Sequence, residues 1–100
     1  MSGRTVDVDG VEYLLEPQSV RTSLGEASPM LWGFEVNVTT GGEVVGVKTC
    51  FVGRVSIHSR APEYVDGPME KLVPVLHDLA LEKVEARVKE GAPGNEIVFA

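Results

Sequence analysis

The sequence is poor in the residues that most often build reactive or metal-binding sites. Its 100 residues include one cysteine, two histidines and one tryptophan. A single cysteine cannot form an internal disulfide, which favours a reducing compartment such as the cytoplasm. Glycine-rich nucleotide loops, paired-cysteine motifs and zinc-protease helix motifs are all missing. We therefore expect neither a cofactor nor a metal ion.

Positive charge and long apolar runs are scarce as well. Nine lysines and arginines are outnumbered by 15 aspartates and glutamates, and the formal net charge is −6. The scattered cations argue against nucleic acid as a partner. No apolar run approaches the roughly 20 residues of a membrane span, and the start of the sequence lacks the apolar segment of a secretory signal. With 43% hydrophobic residues, we expect residues 1–100 to form a single soluble, cytoplasmic domain.

The most regular pattern lies in residues 31–59 and predicts a long β-hairpin. Apolar residues alternate with others on both sides of Gly41-Gly42, as in half-buried strands joined by a tight turn. Folding about these glycines places the apolar residues of both arms on one face. The expected cross-strand pairs are Val38 with Val45, Val36 with Val47, and Trp32 with Phe51.

The chain before this hairpin predicts a smaller one. Residues 5–8 and 11–15 flank Asp9-Gly10, a dipeptide that adopts the positive φ angles of a two-residue type I′ turn. The other expectations here are Val6 opposite Tyr13, a short strand within residues 19–24, and a turn at residues 25–29.

A long helix is predicted for residues 69–90, where apolar residues recur every three or four positions. Pro68 suits the first helical position and Gly91 suits the end. Pro74 predicts either a kink or a short turn before the main helix. A loop is expected at residues 58–67 and an extended segment at residues 96–99. The predicted fold is α+β: an antiparallel sheet of four or more strands with one long C-terminal helix packed on one face.

The second face of the return strand is more apolar than a solvated face should be. By alternation it carries Val44, Cys50 and Val52, opposite the predicted core face. Such a face is typical either of a surface covered by the N-terminal hairpin or by a subunit contact, or of one that binds extended, apolar polypeptide. The candidate polypeptide-binding residues are Trp32, Val44, Phe51 and Val52.

The ionisable residues predict little chemistry. His77 precedes Asp78, but neighbours on a helix point about 100° apart, so they are not an oriented pair. His77 is expected on a partly exposed helix flank, and His58 in a surface loop. Lys48, two positions from Cys50 on the same face, favours a slightly lowered thiol pKa; a small structural cysteine is the preferred interpretation.

Two blocks of the sequence carry a family resemblance. The first, FEVNVTT followed by GEVVGVKTCFVGRVSI, is a long antiparallel pair that ends in a glycine-then-apolar segment from Gly53. The second runs from residues 71–74 into the helix and closes with Gly91 and the apolar residues 97–99. Together, over about residues 20–99, they resemble the SecB export-chaperone family and its shorter SecB-like relatives.

This resemblance implies a four-stranded antiparallel sheet with helices on one face, assembled into dimers or tetramers. It also implies a holdase that grips non-native polypeptide in apolar grooves, without nucleotide or metal. Lys48 stands where the family's translocase-contacting strand carries an acidic residue. A short relative with another client is therefore favoured over an export chaperone.

Three functional hypotheses follow. The first is a non-enzymatic, homo-oligomeric SecB-like protein that binds non-native or partner polypeptide through its apolar sheet and helix surface. The second is a small-molecule-binding or catalytic domain with a pocket between sheet and helix and with His77 and Asp78 at its mouth. The third is a structural or phage-type assembly subunit without a ligand.

Overall fold

The computed structural model describes residues 3–24 and 31–100. It contains six strands, two α-helices and one short 3-10 turn. In chain order these are β1 (Arg4–Val8), β2 (Val11–Pro17), β3 (Thr22–Leu24), β4 (Leu31–Thr40), β5 (Glu43–Gly53), α1 (Arg54–Arg60), the 3-10 turn Pro62–Tyr64, α2 (Met69–Lys89) and β6 (Glu96–Phe99). The α+β class is confirmed. The sheet order is β1-β2-β4-β5-β6, and β3 pairs with β4 beside this path.

The first hairpin is confirmed. β1 and β2 pair antiparallel with Val6 opposite Tyr13. Asp9 and Gly10 have φ angles of 51° and 83°, which a type I′ turn requires at both central positions. β3 falls within the predicted short strand, whereas the turn predicted for residues 25–29 lies outside the described residues.

The central hairpin is confirmed, but its predicted register is wrong. A β-bulge between β4 and β5 lies next to Val38 and leaves Val45 without a partner. Because side chains alternate with a period of two, this single extra residue turns the other set of β5 side chains towards the core. The observed pairs are Val38 with Gly46, Val36 with Lys48, and Trp32 with Val52.

The return strand is shorter than predicted. β5 ends at Gly53, and residues 54–60 form α1 instead of more strand and the start of a loop. Ile57 is the buried residue of α1, and Arg54 donates to Asp66 over 2.7 Å. A segment this short satisfies the strand and helix periods equally well, so its alternation did not discriminate between them.

The long helix is confirmed and runs through Pro74 without interruption. Neither a separate preceding turn nor a later helix start is present. At the end, Gly91 has a φ of 91°, and the amides of Gly91 and Ala92 donate to the carbonyls of Val88 and Arg87, each over 3.0 Å. These two bonds form a Schellman motif, the helix stop that a glycine in this position permits.

The sheet is mixed, so the prediction of an antiparallel sheet is wrong for its last strand. β6 pairs parallel with β5, because α2 carries the chain back along the sheet before β6 begins. The turn before β6 passes close to Gly46, where an added Cβ would lie 2.7 Å from the Gly94 Cα. The core lies between the sheet and α2.

The core is almost entirely apolar. Its members come from the inner face of the sheet, from α1 and from one side of α2. The largest of its fully buried apolar side chains are Phe34, Leu15, Ile57, Leu72, Leu76, Leu81, Val36, Val38, Val52, Val84 and Val88.

Candidate functional site

The outer face of the sheet, which points away from α2, has an apolar half formed by β5 and β6. Strand alternation places Val47 and Phe51 of β5 and Ile97 and Phe99 of β6 on this face. The register sets Phe99 beside Phe51 and Ile97 beside Thr49, a polar residue between Val47 and Phe51. Ile97 is 63% exposed and Phe99 is 67% exposed. We call Val47, Phe51, Ile97 and Phe99 the outer apolar stripe. No element of the described part of the chain covers it.

Two aromatic rings anchor this stripe. Phe51 and Phe99 stack with their ring centroids 5.6 Å apart and their planes 24° apart. Offset ring pairs are held by their quadrupoles in addition to buried area. The pair therefore forms a preformed flat apolar surface on the outside of the protein.

The other half of the outer face is acidic. Alternation places Glu12 and Glu16 of β2 and Glu35 of β4 on this side. Arg21 approaches Glu35 over 3.6 Å, and both side chains are well exposed, so this ion pair is weak. Leu14, which is 37% exposed, lies between Glu12 and Glu16 on this face. The outer face thus has the outer apolar stripe on β5 and β6 beside a carboxylate-rich region of β2 and β4, which we call the acidic stripe.

Two shallow grooves lie on the outer face. One, of about 390 Å³, is lined by Glu35, Val47, Thr49, Asn95, Glu96 and Ile97. The other, of about 130 Å³, is lined by Arg21, Gly33, Phe34, Glu35, Thr49 and Phe51. Glu35 lines both grooves; the larger one also contains Glu96, and the smaller one contains Arg21, the ion-pair partner of Glu35.

The four residues that the sequence predicted for polypeptide binding do not lie on one surface. Trp32 and Val52 are buried in the core and offer no surface to a partner. Trp32 lies on the inner face of β4, as its alternation predicted, whereas the bulge turned Val52 of β5 to that face. Phe51 is half-buried on the outer face, and Val44 is 55% exposed beside the hairpin turn. Only Phe51 belongs to the outer apolar stripe.

Sequence reasoning missed Ile97 and Phe99 as surface residues. The signal that could have found them is the alternation of the segment Glu96–Phe99, in which Ile97 and Phe99 share one face. Four residues are too few to distinguish such an alternation from a chance pattern. Knowing that it pairs with β5 is what places Phe99 next to Phe51.

Cys50 and Lys48 lie on the inner face, not on the outer face as predicted. Burial raises the pKa of the Cys50 thiol to about 12, and the charge of Lys48 opposes this only partly. A thiol with so high a pKa is a poor nucleophile. The preferred interpretation, a small structural cysteine, agrees with this environment.

Lys48 is fully buried and belongs to an ion network. Its ammonium donates to the Ala92 carbonyl and, over 2.8 Å, to Glu96 Oε1. Arg87 forms a fork on Glu96, with Nη2 2.7 Å from Oε2 and Nε 3.1 Å from both oxygens. Arg87 first and Lys48 second hold the pKa of Glu96 at about 2. The network joins β5, α2 and β6, and its residues are already satisfied by one another.

The His77 ring lies against a core aromatic residue. Its ring packs against Phe34, with centroids 5.3 Å apart, and its two nitrogens are buried without a hydrogen-bond partner among the described residues. Burial lowers its pKa, and the Gln18 backbone and Asp78 oppose this shift only in part. Asp78 is exposed. Core side chains fill the space between sheet and helix.

Within residues 3–24 and 31–100, no group of three or more side chains is arranged to hold a metal ion. No helix in the same ranges is long and apolar enough to cross a membrane. Comparisons with protein-family models, curated proteins and solved structures gave no match.

Proposed function

We propose that this chain is a non-enzymatic, SecB-like polypeptide-binding protein whose docking surface is the outer apolar stripe. The observation that carries the proposal is the stacked Phe51–Phe99 pair on the outer sheet face, in which Phe51 is half-buried and Phe99, like Ile97, is exposed. Contiguous exposed apolar surface of this kind is typical of interaction sites. The likeness in sequence to the SecB-like family supports the same type of partner.

The neighbouring acidic stripe defines the chemistry of the partner. A segment that alternates apolar and basic side chains satisfies both halves of the face, because its apolar residues pack on Phe51 and Phe99 while its cations approach Glu35 and the carboxylates of β2. The exposed Arg21–Glu35 pair costs little to replace with such a cation. We infer that basic, apolar and extended polypeptide is the preferred ligand, and that acidic polypeptide is excluded by repulsion.

The proposal treats the protein as a binding module and not as an enzyme. Its buried thiol has a raised pKa, and its buried lysine is engaged by Glu96. The ligand pocket of the alternative hypothesis, with His77 and Asp78 at its mouth, has no supporting observation, since His77 packs against Phe34.

The test is the binding of two labelled peptides of equal length, followed by fluorescence anisotropy. One alternates leucine with lysine and the other alternates leucine with glutamate. We expect the lysine peptide to bind more tightly. Phe51→Gln should weaken that binding by about tenfold or more, since the loss of a buried aromatic contact is worth at least about 1.5 kcal/mol.

Val55→Gln is the matched control. Val55 is 74% exposed but lies on α1, away from the outer face, so this variant should bind like the wild type. Failure of the wild type to bind either peptide, equal binding of both peptides, or equal loss in the Val55 variant would contradict the proposal.

A further inference from the structure

Among the described residues, β6 has no strand partner on the side away from β5, and the directions of its backbone hydrogen-bonding groups can be assigned. The Ala100 amide donates to the Phe51 carbonyl over 2.8 Å, and the Gly53 amide donates to the Ala100 carbonyl over 3.1 Å. Ala100 therefore points towards β5. Because the backbone groups of successive strand residues point in opposite directions, Ile97 and Phe99 point their N–H and C=O groups away from β5.

The residues of β6 with outward backbone groups carry no charge. Edge strands are commonly protected by shortness, charges, prolines or bulges. β6 is short, at four residues, but its one charged residue, Glu96, is engaged by Arg87 and Lys48. At the opposite edge of the sheet, β1 carries Arg4 and Asp7 within five residues. On β6, the two residues with outward backbone groups are Ile97 and Phe99, both apolar and both exposed. The edge of β6 is suited to accept another strand.

We propose that β6 pairs antiparallel with β6 of a second copy of this chain, around a twofold axis at Val98. In this register Ile97 of each copy lies opposite Phe99 of the other, so the two outward pairs exchange about four hydrogen bonds. A register centred on Ile97 would pair only Ile97 with itself and exchange about two. The first register also continues the outer apolar stripe across the axis.

The groove between α2 and β6 provides charge complementarity for this partner. It has a volume of about 310 Å³ and is lined by Lys83, Ala86, Arg87, Glu90 and residues 96–99. α2 and β6 run in opposite directions, and Arg87 contacts Glu96, so Lys83 lies towards the Phe99 end. Glu90 lies towards the other end. Ala86, between them, leaves room for approach.

A twofold axis at Val98 brings opposite ends of the two grooves together. Lys83 of one copy then faces Glu90 and Glu96 of the other. Lys83 has no ion pair within its own chain among the described residues, whereas Glu90 is held by Arg87 over 2.6 Å. The groove is thus self-complementary in charge when two copies meet antiparallel.

This inference deepens the proposed function, because it rests on the proposed homo-oligomer and joins two binding stripes into one longer surface. It is tested by light scattering of the purified chain across a range of concentrations. We expect twice the monomer mass of 10.8 kDa at high concentration. A monomer at every concentration would overturn both the pairing and the proposed homo-oligomer.

Two sets of variants locate the interface. Ile97→Pro removes an outward N–H that β5 does not use, and the dimer dissociation constant should rise at least tenfold. Lys83→Glu should weaken the dimer, and Lys83→Glu with Glu90→Lys should restore it. Val55→Gln should change nothing. Circular dichroism identifies any variant that fails to fold. If Ile97→Pro does not fold, the loss of the dimer in Lys83→Glu and its recovery with Glu90→Lys test the interface.

The outcomes separate this inference from the proposed function. A dimer that withstands both Ile97→Pro and Lys83→Glu would overturn the β6 pairing and leave the homo-oligomer and polypeptide binding intact. A monomeric Lys83→Glu variant that still binds the leucine–lysine peptide would support the pairing, because Lys83 lies outside the outer apolar stripe. A dimer that binds neither peptide would contradict the proposed function while the pairing stands.

Discussion

At the scale of single residues, Gly46 has the strictest size requirement. The turn at residues 93–94 passes over it, and an added Cβ would lie 2.7 Å from the Gly94 Cα. We predict that Gly46→Ala destabilises the fold by about 1–3 kcal/mol, because backbone atoms cannot move aside as a flexible side chain can. Chemical denaturation measures this loss.

Gly94→Ala is the control for that prediction. A Cβ at Gly94 meets no atom within 4 Å, so the variant should change the free energy of unfolding by less than about 0.5 kcal/mol. Equal stability of the two variants would contradict the close approach of the turn to β5.

His77 gives the fold a dependence on pH near neutrality. Burial lowers its pKa below the ordinary value of 6.5, so the unfolded chain binds this proton more readily than the folded chain does. Stability should therefore fall as the pH falls through about 6.5, by at most about 1.4 kcal/mol per pH unit. Urea denaturation between pH 5.5 and 7.5 measures this slope.

His77→Phe should flatten that slope, whereas His58→Gln, on the exposed part of α1, should retain it. The paired carboxylate of Glu96 affects the stability of the fold in a separate, more acidic pH range. Its pKa is lowered from 4.5 to about 2, so its contribution is lost only as the pH falls through that more acidic range. If the pH dependence of stability persists between pH 5.5 and 7.5 in His77→Phe, His77 is not the group that causes it.

At the scale of the elements, α2 tolerates a proline in its interior. Pro74 is exposed. Because proline has no backbone N–H and its ring crowds the preceding turn, it costs about 3 kcal/mol relative to alanine inside a helix. Part of this cost is offset because proline also restricts the unfolded chain. We predict that Pro74→Ala stabilises the protein by about 2 kcal/mol in denaturant unfolding.

Pro62→Ala provides the comparison for α2. Pro62 is the first residue of the 3-10 turn, where its missing N–H is not needed. This variant should be neutral or slightly destabilising. A stabilisation as large as that of Pro74→Ala would show that the interior position carries no special cost.

The elements also show how far the sequence determines the fold. Asp9-Gly10, Gly41-Gly42 and Gly91 mark their turns and helix end through the positive φ angles that they adopt, so both hairpins and α2 were predicted. The bulge beside Val38 depends on packing across strands. No local pattern marks it, and it turned Val52 of β5 into the core and Phe51 to the outer face. The sequence named Phe51 as a candidate binding residue but placed it on the core face, and it did not name Phe99.

At the scale of the whole molecule, the two faces of the sheet have different surroundings. α2 covers the inner face of the sheet and, with β5 and β6, forms the Lys48–Glu96–Arg87 network. The outer face carries no such cover in the described residues, and its apolar and acidic halves are separate. The parallel pairing of β6 creates this division, since it extends the sheet with Ile97 and Phe99 exposed.

The central claim, that the outer apolar stripe binds basic, apolar polypeptide, is tested most directly by a nuclear magnetic resonance titration with the leucine–lysine peptide. The account predicts that the backbone amide signals of Val47, Phe51, Ile97 and Phe99 shift in proportion to the peptide bound, while those of Val55 and Asp78 stay in place. Shifts centred on His77 and Asp78, or no shifts at saturating peptide, would contradict it.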